Sequence, residues 1–220
     1  MKKILTIAAL LAFVLPLTAD DWSVGVHSGP FVFGDFVERK VRPSVGQPGG
    51  DTVTMTLSAD TRAGLAVDVQ RDFSERFGVR LEATFSRAPL SIKEEGDDAL
   101  SFDAGDLDVI TVTLPLVFRI NPRGTFRFHI MGGPAYAMYE FQPEAGSGGI
   151  SVISRKETEW GAALGGGVGW WFSDRFGVEG TITDIVTTSP FERSDFPDVP
   201  GYTIPKPHNV HTTVGLRWKF

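Results

Sequence analysis

The stretch that decides the fold is "FSERFGVRLEATFS", from Phe73 to Ser86. Its apolar residues Phe77, Val79 and Leu81 alternate with polar or small residues, among them Arg80 and Glu82. An alternation with a period of two, apolar on one face and polar on the other, is typical of a β-strand. The first seven residues recur at 172–178 as "FSDRFGV", with Asp174 at the position of Glu75. This repeat indicates that one structural unit is used twice.

The residues before each copy alternate in the same way, in "TRAGLAVDVQRDF" (61–73) and "WGAALGGGVGWWF" (160–172). Two alternating runs around a short polar turn predict a β-hairpin. A third hairpin has a different turn. There "DVITVTLPLVFRI" (108–120) and "TFRFHIMGGPAYAMY" (125–139) flank an Asn-Pro-Arg-Gly sequence, which is a strong turn signal.

With "WSVGVHSGPFVF" (22–33) and "HNVHTTVGLRWKF" (208–220), the chain contains eight predicted strands. Their predicted ranges are 22–33, 60–72, 77–88, 105–119, 125–140, 158–172, 176–187 and 208–220. The connections alternate between short ones (73–76, 120–124, 173–175) and long ones rich in Gly, Pro and charge (34–59, 89–104, 141–157, 188–207). This rhythm predicts an all-β, eight-stranded antiparallel up-and-down transmembrane β-barrel with short periplasmic turns and four long extracellular loops.

The apolar face of each strand could point into a soluble barrel or outward to lipid. Full charges in the middle of the polar faces, such as Arg80 and Glu82, favour a polar interior. Aromatic residues near strand ends, such as Trp22, Phe77 and Trp218, are typical of the girdles of membrane barrels. Closure of the barrel would pair all backbone N–H and C=O groups of the wall, which lipid requires. The chain has no Cys, so disulfides cannot hold the fold together. The alternative is a soluble barrel of the lipocalin kind.

The N-terminus has the order of a secretory signal peptide: Lys2 and Lys3, an apolar run and a small residue at Ala19. We expect a signal peptide over 1–19 and a mature barrel domain over 20–220; a first core helix is the alternative. Removal of two cations changes the net charge from −6 to −8. An acidic exported chain is a poor candidate for nucleic-acid binding.

The last strand ends in an aromatic residue, and its alternate positions are apolar. This pattern resembles the C-terminal assembly signal of bacterial outer-membrane proteins, here formed by Val214, Leu216, Trp218 and Phe220. Together with "FSERFGV", "FSDRFGV", "VTLPLVFRI", "FRFHIMGGPAYA" and "VGLRWKF", it makes the chain resemble the OmpA/OmpX-type small outer-membrane β-barrel proteins. The resemblance implies a bacterial outer-membrane location, contact with lipid and lipopolysaccharide, and insertion by the barrel-assembly machinery with periplasmic chaperones. It also implies a monomer with surface-exposed loops.

The inward-facing charges predict a network of ion pairs that plugs the lumen, because unpaired buried charges are costly. Its predicted members are Arg62, Asp68, Arg80, Glu82, Arg127, Glu179 and Arg217. Small residues at alternate positions from Gly161 to Gly169 leave a small-solute channel as the alternative. We expect instead that these glycines let long side chains reach across a closed lumen.

Three function classes remain: a structural or surface-interaction barrel, which we expect, a small channel, and a lipid A-modifying enzyme. Some small outer-membrane barrels are lipid A deacylases with a His-x-Ser pair and a carboxylate nearby. Here His211, Thr213 and Glu179 approximate that set, with Thr in place of Ser. The acidic segment "EEGDDALSFDAGDLD" (94–108) lacks the spacing of a calcium loop. We therefore predict no catalytic residue, metal site or cofactor.

Overall fold

The computed structural model describes residues 22–41, 53–95, 101–143, 155–191 and 202–220. The predicted signal peptide and Asp20 lie outside the described residues. Among the residues described, no helix is long and apolar enough to cross a membrane. The described strands are β1 (Trp22–Phe33), β2 (Val37–Val41), β3 (Val53–Ala59), β4 (Arg62–Asp72), β5 (Phe77–Glu95), β6 (Ser101–Thr113), β7 (Leu116–Arg119), β8 (Phe126–Pro143), β9 (Arg155–Trp171), β10 (Phe176–Thr187), β11 (Tyr202–Thr203) and β12 (His208–Lys219).

The main strands form a closed antiparallel barrel of eight strands. Around the barrel the order is β1, β4, β5, β6 continued by β7, β8, β9, β10 and β12. The last strand pairs with the first, in a register that runs from Ser23 opposite Lys219 to Phe33 opposite Asn209. Closure leaves no unpaired edge in the barrel wall, which lipid requires. The predicted eight-stranded up-and-down barrel is confirmed.

The repeated sequence forms the same turn in both hairpins. The backbone N–H of Phe73 donates to the Phe77 carbonyl at 2.9 Å, and the Phe77 N–H donates to Ser74 Oγ at 3.1 Å. In the second copy, the N–H of Phe176 donates to Ser173 Oγ at 2.9 Å. A serine hydroxyl that accepts from the backbone stabilises a turn locally. The repeat therefore encodes a turn rather than a site.

The fourth barrel strand consists of two pieces, β6 and β7, whereas the sequence predicted one strand over 105–119. Pro115 lies in the interruption and has no backbone N–H to give to a ladder. The groups around it are still satisfied. The Leu114 N–H donates to the Pro134 carbonyl, and the Arg80 N–H to the Pro115 carbonyl, each at 3.0 Å.

At the long-loop end, the predicted loop boundaries are wrong because the sheet continues into them. β5 has 19 residues and β8 has 18, whereas a tilted strand crosses the hydrocarbon in about 9–11. β2 and β3 form inside the predicted loop 34–59 and extend the sheet in the order β11, β2, β3, β5. The wall therefore rises beyond the membrane.

The outer wall carries an apolar band, with the side chains of Leu116, Leu164 and Leu216 exposed by 66%, 72% and 65%. The interior positions beside it are polar and buried, so the apolar face points outward and the soluble-barrel alternative is wrong. An aromatic girdle borders the band at the short-turn end. Its members are Trp22, Phe73, Phe77, Phe126, Trp170, Phe172, Phe176 and Trp218.

The other border of the band is sharp on three adjacent strands. In one row, Phe85 lies opposite Ile110, and Ile110 lies opposite Met138. One step higher on the same outer face the row is Arg87, Asp108 and Glu140. Arg87 pairs with Asp108 at 3.1 Å. A charged row on the outer surface marks where the wall leaves the hydrocarbon.

Candidate functional site: the barrel interior

Four charged residues meet across the lumen near the short-turn end: Asp68, Arg80, Glu179 and Arg217, which we call the ionic cluster. Arg217 Nη2 lies 2.7 Å from Asp68 Oδ1 and 3.1 Å from Glu179 Oε1. Arg80 Nη1 lies 2.9 Å from Glu179 Oε1, and Arg80 Nε lies 3.7 Å from Asp68 Oδ1. β4 and β5 contribute two of the four residues, and β10 and β12 contribute the others. The ion pairs therefore connect different sides of the barrel.

Further polar side chains contact the cluster. His27 Nε2 lies 2.8 Å from Asp68 Oδ2, and Arg217 Nη1 donates to Ser23 Oγ at 3.0 Å. Arg80 donates to Gln70 Oε1 from Nε at 3.0 Å and from Nη2 at 2.8 Å. A buried ion pair is tolerated only when its remaining hydrogen-bonding groups are satisfied in this way.

The other predicted members of the network lie elsewhere. Glu82 is buried and lies opposite Asp68 in the ladder, but forms no ion pair with the described residues. Arg127 lies at the mouth of the lumen, with its guanidinium carbon 4.7 Å from the centre of the Trp171 ring. Arg62 is exposed, six residues before Asp68 along β4, towards the long-loop end. The prediction of one continuous network is wrong for Arg62 and Arg127.

A second buried layer, which the sequence analysis missed, fills the lumen towards the long-loop end. Phe36, with an exposed fraction of 0%, lies edge-on to Tyr139 and Phe141, at ring-centre distances of 5.9 and 6.4 Å. The Tyr139 hydroxyl accepts a hydrogen bond from Asn209 Nδ2 at 2.8 Å. We call this layer the apolar core. Its buried members are Phe31, Phe33, Phe36, Val37, Ala59, Ala88, Leu90, Ala104, Leu107, Val109, Ala137, Tyr139 and Phe141.

The apolar core arises because the polarity of the wall inverts along β5, β6 and β8. On β8 the outward positions change from Phe126 and Phe128 to Glu140, while the inward positions change from His129 to Tyr139 and Phe141. Next to lipid, the apolar side chains are outside. Above the lipid boundary, water lies outside, and apolar side chains gain by turning inward. The sequence contained two signals of the apolar core: the aromatic residues at inward positions of β8, and the "FVF" at the end of β1.

The glycines of β9 do not line an open space. A Cβ atom on Gly165 would lie 2.5 Å from the Ile182 carbonyl oxygen, and one on Gly167 would lie 2.5 Å from the Gly180 carbonyl oxygen. A Cβ atom on Gly161 would overlap the Val186 carbonyl. Glycine is needed where two backbones approach this closely. These residues serve the packing of β9 on β10, and the His129 side chain approaches Gly167 to 2.8 Å from where a Cβ atom would lie, as expected if glycine makes room for long side chains.

A polar cavity of about 30 Å³ lies at the short-turn mouth, below the ionic cluster. Arg119, Arg127, His129 and Lys219 are among its lining residues. Its volume suits about one water molecule. The buried Nε2 atom of His129, which also lines this cavity, has no hydrogen-bond partner among the described residues.

The residues of the enzyme alternative are not assembled into a catalytic set. The His211 ring stacks on Phe31 at a centre-to-centre distance of 3.9 Å, and neither of its nitrogens has a hydrogen-bond partner among the described residues. Thr213 Oγ1 lies 2.8 Å from Thr181 Oγ1. The Glu179 carboxylate is bound to two arginines. A nucleophile needs a base within hydrogen-bond reach, and here the hydroxyl and the imidazole do not bond each other.

The acidic segment does not form a metal site where the structure describes it. Asp103 Oδ1 accepts a hydrogen bond from the Gly105 N–H at 3.0 Å, and both Asp106 and Asp108 pair with Arg87. Within the described ranges, no group of three or more His, Asp or Glu side chains could hold a metal ion. Asp97 and Asp98 lie outside the described residues.

Three residues of the predicted assembly signal, Val214, Leu216 and Trp218, form an apolar row on the lipid side of β12, and Phe220 follows the end of that strand. Val214, Leu216 and Trp218 are exposed by 61%, 65% and 44%. The rings of Trp218 and Phe220 lie 4.6 Å apart, and Trp218 stacks on Phe176 at 6.0 Å. Val214 and Leu216 belong to the apolar band and Trp218 to the aromatic girdle, and the role of these residues as an assembly signal stays a prediction.

A closed eight-stranded barrel with a lipid-facing band, an aromatic girdle and a buried ionic interior defines an integral outer-membrane protein. The chain belongs to the family described as "Outer membrane protein beta-barrel domain", whose pattern matches residues 6–220. Family membership implies a bacterial outer-membrane location. No curated protein matches the chain in sequence.

Solved structures agree with this fold. OprG of Pseudomonas aeruginosa has a TM-score of 0.62 and 15% identity, with coverage of 92% of this chain and 96% of OprG. AlkL, solved in DMPC bilayers, has a TM-score of 0.53 and 14% identity, covering 94% and 92%. Neisserial surface protein A has a TM-score of 0.51 and 8% identity, covering 90% and 97%. At these identities, the likeness is one of fold alone.

Proposed function

We propose that this protein is a non-enzymatic outer-membrane barrel that does not conduct through its lumen and acts at the cell surface through its long connections. The observation that carries the proposal is that two different buried layers, the ionic cluster and the apolar core, occupy successive levels of the lumen. A solute would have to disrupt both layers to pass.

The ionic cluster resists opening because its charges satisfy one another. Arg217 contacts Asp68 and Glu179, which belong to strands on either side of β12 and β1. Separating one ion leaves the others buried without partners, at a cost of about 3–5 kcal/mol. Eight strands also enclose an interior just wide enough for side chains to fill.

The apolar core resists opening for a different reason. Phe36, Tyr139 and Leu107 each have an exposed fraction of 0%. A hydrated ion that entered this layer would lose water contacts without gaining polar partners, which is unfavourable. The two layers therefore exclude solutes by independent mechanisms.

The surface role is supported by where the long connections attach. Segments 42–52, 96–100, 144–154 and 192–201 all join described strands at the end where the outer wall is charged. The pairing of β2, β3 and β11 adds to the wall at this end. Export by the signal peptide, insertion by the barrel-assembly machinery, contact with lipopolysaccharide and a monomeric state belong to the same proposal.

Conductance in planar bilayers tests the closed lumen. Wild type and the variant Arg80→Ala/Glu179→Ala should show no stable openings, because the variant removes two opposite charges and leaves Asp68 paired with Arg217. Phe36→Ala/Tyr139→Ala should also stay closed, because the ionic cluster is intact. The four-fold combination should conduct. Arg123→Ala/Glu75→Ala, which removes an exposed turn pair, is the matched control.

Reproducible, long-lived openings of the wild type would contradict the proposal and favour a small-solute channel. The surface role is tested separately, by replacing each long connection with a short turn and comparing cell adhesion and envelope permeability. Variants that behave like wild type in both assays would count against that role. A change in lipid A mass that depends on His211 would support the enzyme alternative.

A further inference from the structure

Arg71 lies at an unusual position on the outer wall. It is exposed on β4, in the row directly below the apolar residue Val69 and opposite Trp22 of β1. Its guanidinium carbon lies 5.4 Å from the centre of the Trp22 ring and 5.9 Å from that of Phe73. Alternate residues of a strand are about 7 Å apart, so Arg71 lies within one step of the hydrocarbon. This is the level of the lipid headgroups.

No carboxylate among the described residues pairs with Arg71. Asp72 pairs with Arg119 on the inner side of the wall, and also accepts a hydrogen bond from Gln70. Glu75 pairs with Arg123 at 2.7 Å, and this hydrogen bond holds the pKa of Glu75 below its usual range. Asp174 lies in the turn between β9 and β10, and β1 and β12 separate that turn from β4. Within the described ranges, Arg71 thus has aromatic faces beside it but no paired anion.

The short-turn end of the barrel, as far as the structure describes it, is basic, although the whole chain has a net charge of −6. Among the described residues of the short-turn end, the acidic side chains near the girdle are Asp72, Glu75 and Asp174, while Asp20 and Asp21 lie outside the described residues. The cations outnumber them. They are Arg71, Arg76, Arg119, Arg123, Arg127, Arg175 and Lys219. A cationic end next to a girdle attracts anionic headgroups, at about 1 kcal/mol for each Lys or Arg near the surface.

We propose that Arg71, with Trp22 and Phe73, binds the headgroup of an anionic phospholipid in the periplasmic leaflet. Arg71 lies on the same outward face of β4 as Val69, which belongs to the apolar band. This position favours a lipid over a periplasmic polymer as the ligand. The aromatic rings hold the guanidinium by cation–π contact and leave its N–H groups for a phosphate. Guanidinium and phosphate form paired hydrogen bonds with good geometry.

The test uses the purified full chain in nanodiscs of phosphatidylcholine with or without about a third phosphatidylglycerol. Native mass spectrometry counts the lipids of each kind that stay bound. Wild type should retain phosphatidylglycerol in preference to phosphatidylcholine, and Arg71→Gln should reduce that preference about fivefold, the equivalent of about 1 kcal/mol. Arg71→Lys should keep most of it. Arg87→Gln is the control, because Arg87 is also an outward-facing arginine but pairs with Asp108 at the other border.

Several outcomes would overturn the proposal. Equal retention of the two lipids by wild type would exclude an anionic-lipid site, and an unchanged preference in Arg71→Gln would exclude Arg71. An equal loss in Arg87→Gln would show a general charge effect. If Arg71→Gln does not fold, as judged by heat-dependent gel mobility, raising the salt concentration on wild type provides the second test. A preference that does not fall with salt would then contradict the proposal. None of these results depends on whether the lumen conducts.

Discussion

The lower and upper halves of the lumen close the same barrel with opposite chemistry. Below the lipid boundary, Arg80 and Arg217 pair with carboxylates behind a wall whose outer face is apolar. Above it, Phe36 and Tyr139 pack behind a wall whose outer face carries charges such as Arg87. The comparison shows how the medium outside the wall affects the inward side chains. Where lipid lies outside, the inward residues are polar; where water lies outside, the inward residues of the apolar core are hydrophobic. On β8 the apolar and polar faces exchange sides at this boundary, whereas on β9 the inward positions above it are the paired Arg155 and Glu157.

The two halves also differ in how they contribute to stability. Burial of the apolar core is favourable in itself, at about 25 cal/mol for each Å² of apolar surface removed from water. The ionic cluster gains little overall, because the attraction between its charges is offset by their desolvation. The contribution of the ionic cluster to the free energy of unfolding is therefore seen mainly when a mutation removes one ion and leaves its partner buried and unpaired.

The largest effect is expected from Arg217→Ala. The change leaves Asp68 without its 2.7 Å partner and removes one of the two arginines that contact Glu179. The free energy of unfolding should fall by about 3–5 kcal/mol, as for other buried pairs that lose one partner. Urea unfolding in lipid vesicles, followed by tryptophan fluorescence, measures it. In the control Arg123→Ala, the lost pair is exposed, and a comparable fall there would contradict the explanation.

Phe36→Ala tests the upper half by the same measurement. Phe36 contacts three aromatic rings, those of Tyr139, Phe141 and Phe191. We expect a loss of about 3 kcal/mol, the lower end of the range for buried Phe→Ala changes, because the core lies near the barrel end and can partly collapse. The loss should not depend on salt. A salt-dependent loss like that of a charge change would remove the distinction between the halves.

Leu81→Arg tests the outer face. Leu81 lies midway along the lipid-facing residues of β5, between Phe77 and Phe85, so a charge there should cost about 2–4 kcal/mol. Glu140→Arg is also outward-facing but lies above the boundary, and should cost under about 1 kcal/mol. Lipid-borne quenchers should quench a probe at 81 more strongly than one at 140. Equal quenching at the two positions would contradict a hydrocarbon boundary at the row of Arg87, Asp108 and Glu140.

Glu82→Gln should have the smallest effect, under about 1 kcal/mol, although Glu82 is buried. Its carboxylate forms no ion pair among the described residues, so a neutral side chain of the same shape loses little. Asp68→Asn is the matched comparison, because Asp68 contacts His27, Arg80 and Arg217. Equal losses in the two variants would show that Glu82 is part of the ionic cluster after all.

The sequence by itself determined the strands, the turns and the side-chain alternation. The period of two in "FGVRLEATFS" and the serine of each repeated turn act between neighbouring residues, so they can be read without knowing the fold. The same alternation placed Asp68, Arg80, Glu179 and Arg217 on the inner face. The change of polarity on β8 is also present in the sequence, because Tyr139 and Phe141 occupy the same alternate positions as His129. The pattern of a membrane strand, however, gives no reason to expect apolar residues on the inward face.

Only the tertiary structure decided which inner residues meet. Arg217 reaches Asp68 because β12 pairs with β1 and β1 with β4, which brings together residues 149 positions apart in the chain. Closure also decided that Arg62 and Arg127 lie outside the cluster, since their heights along the barrel follow from strand register. The glycines of β9 lie against the carbonyls of β10 for the same reason. Alternation gives the face of a residue, but its height and its neighbours exist only once eight strands close in register.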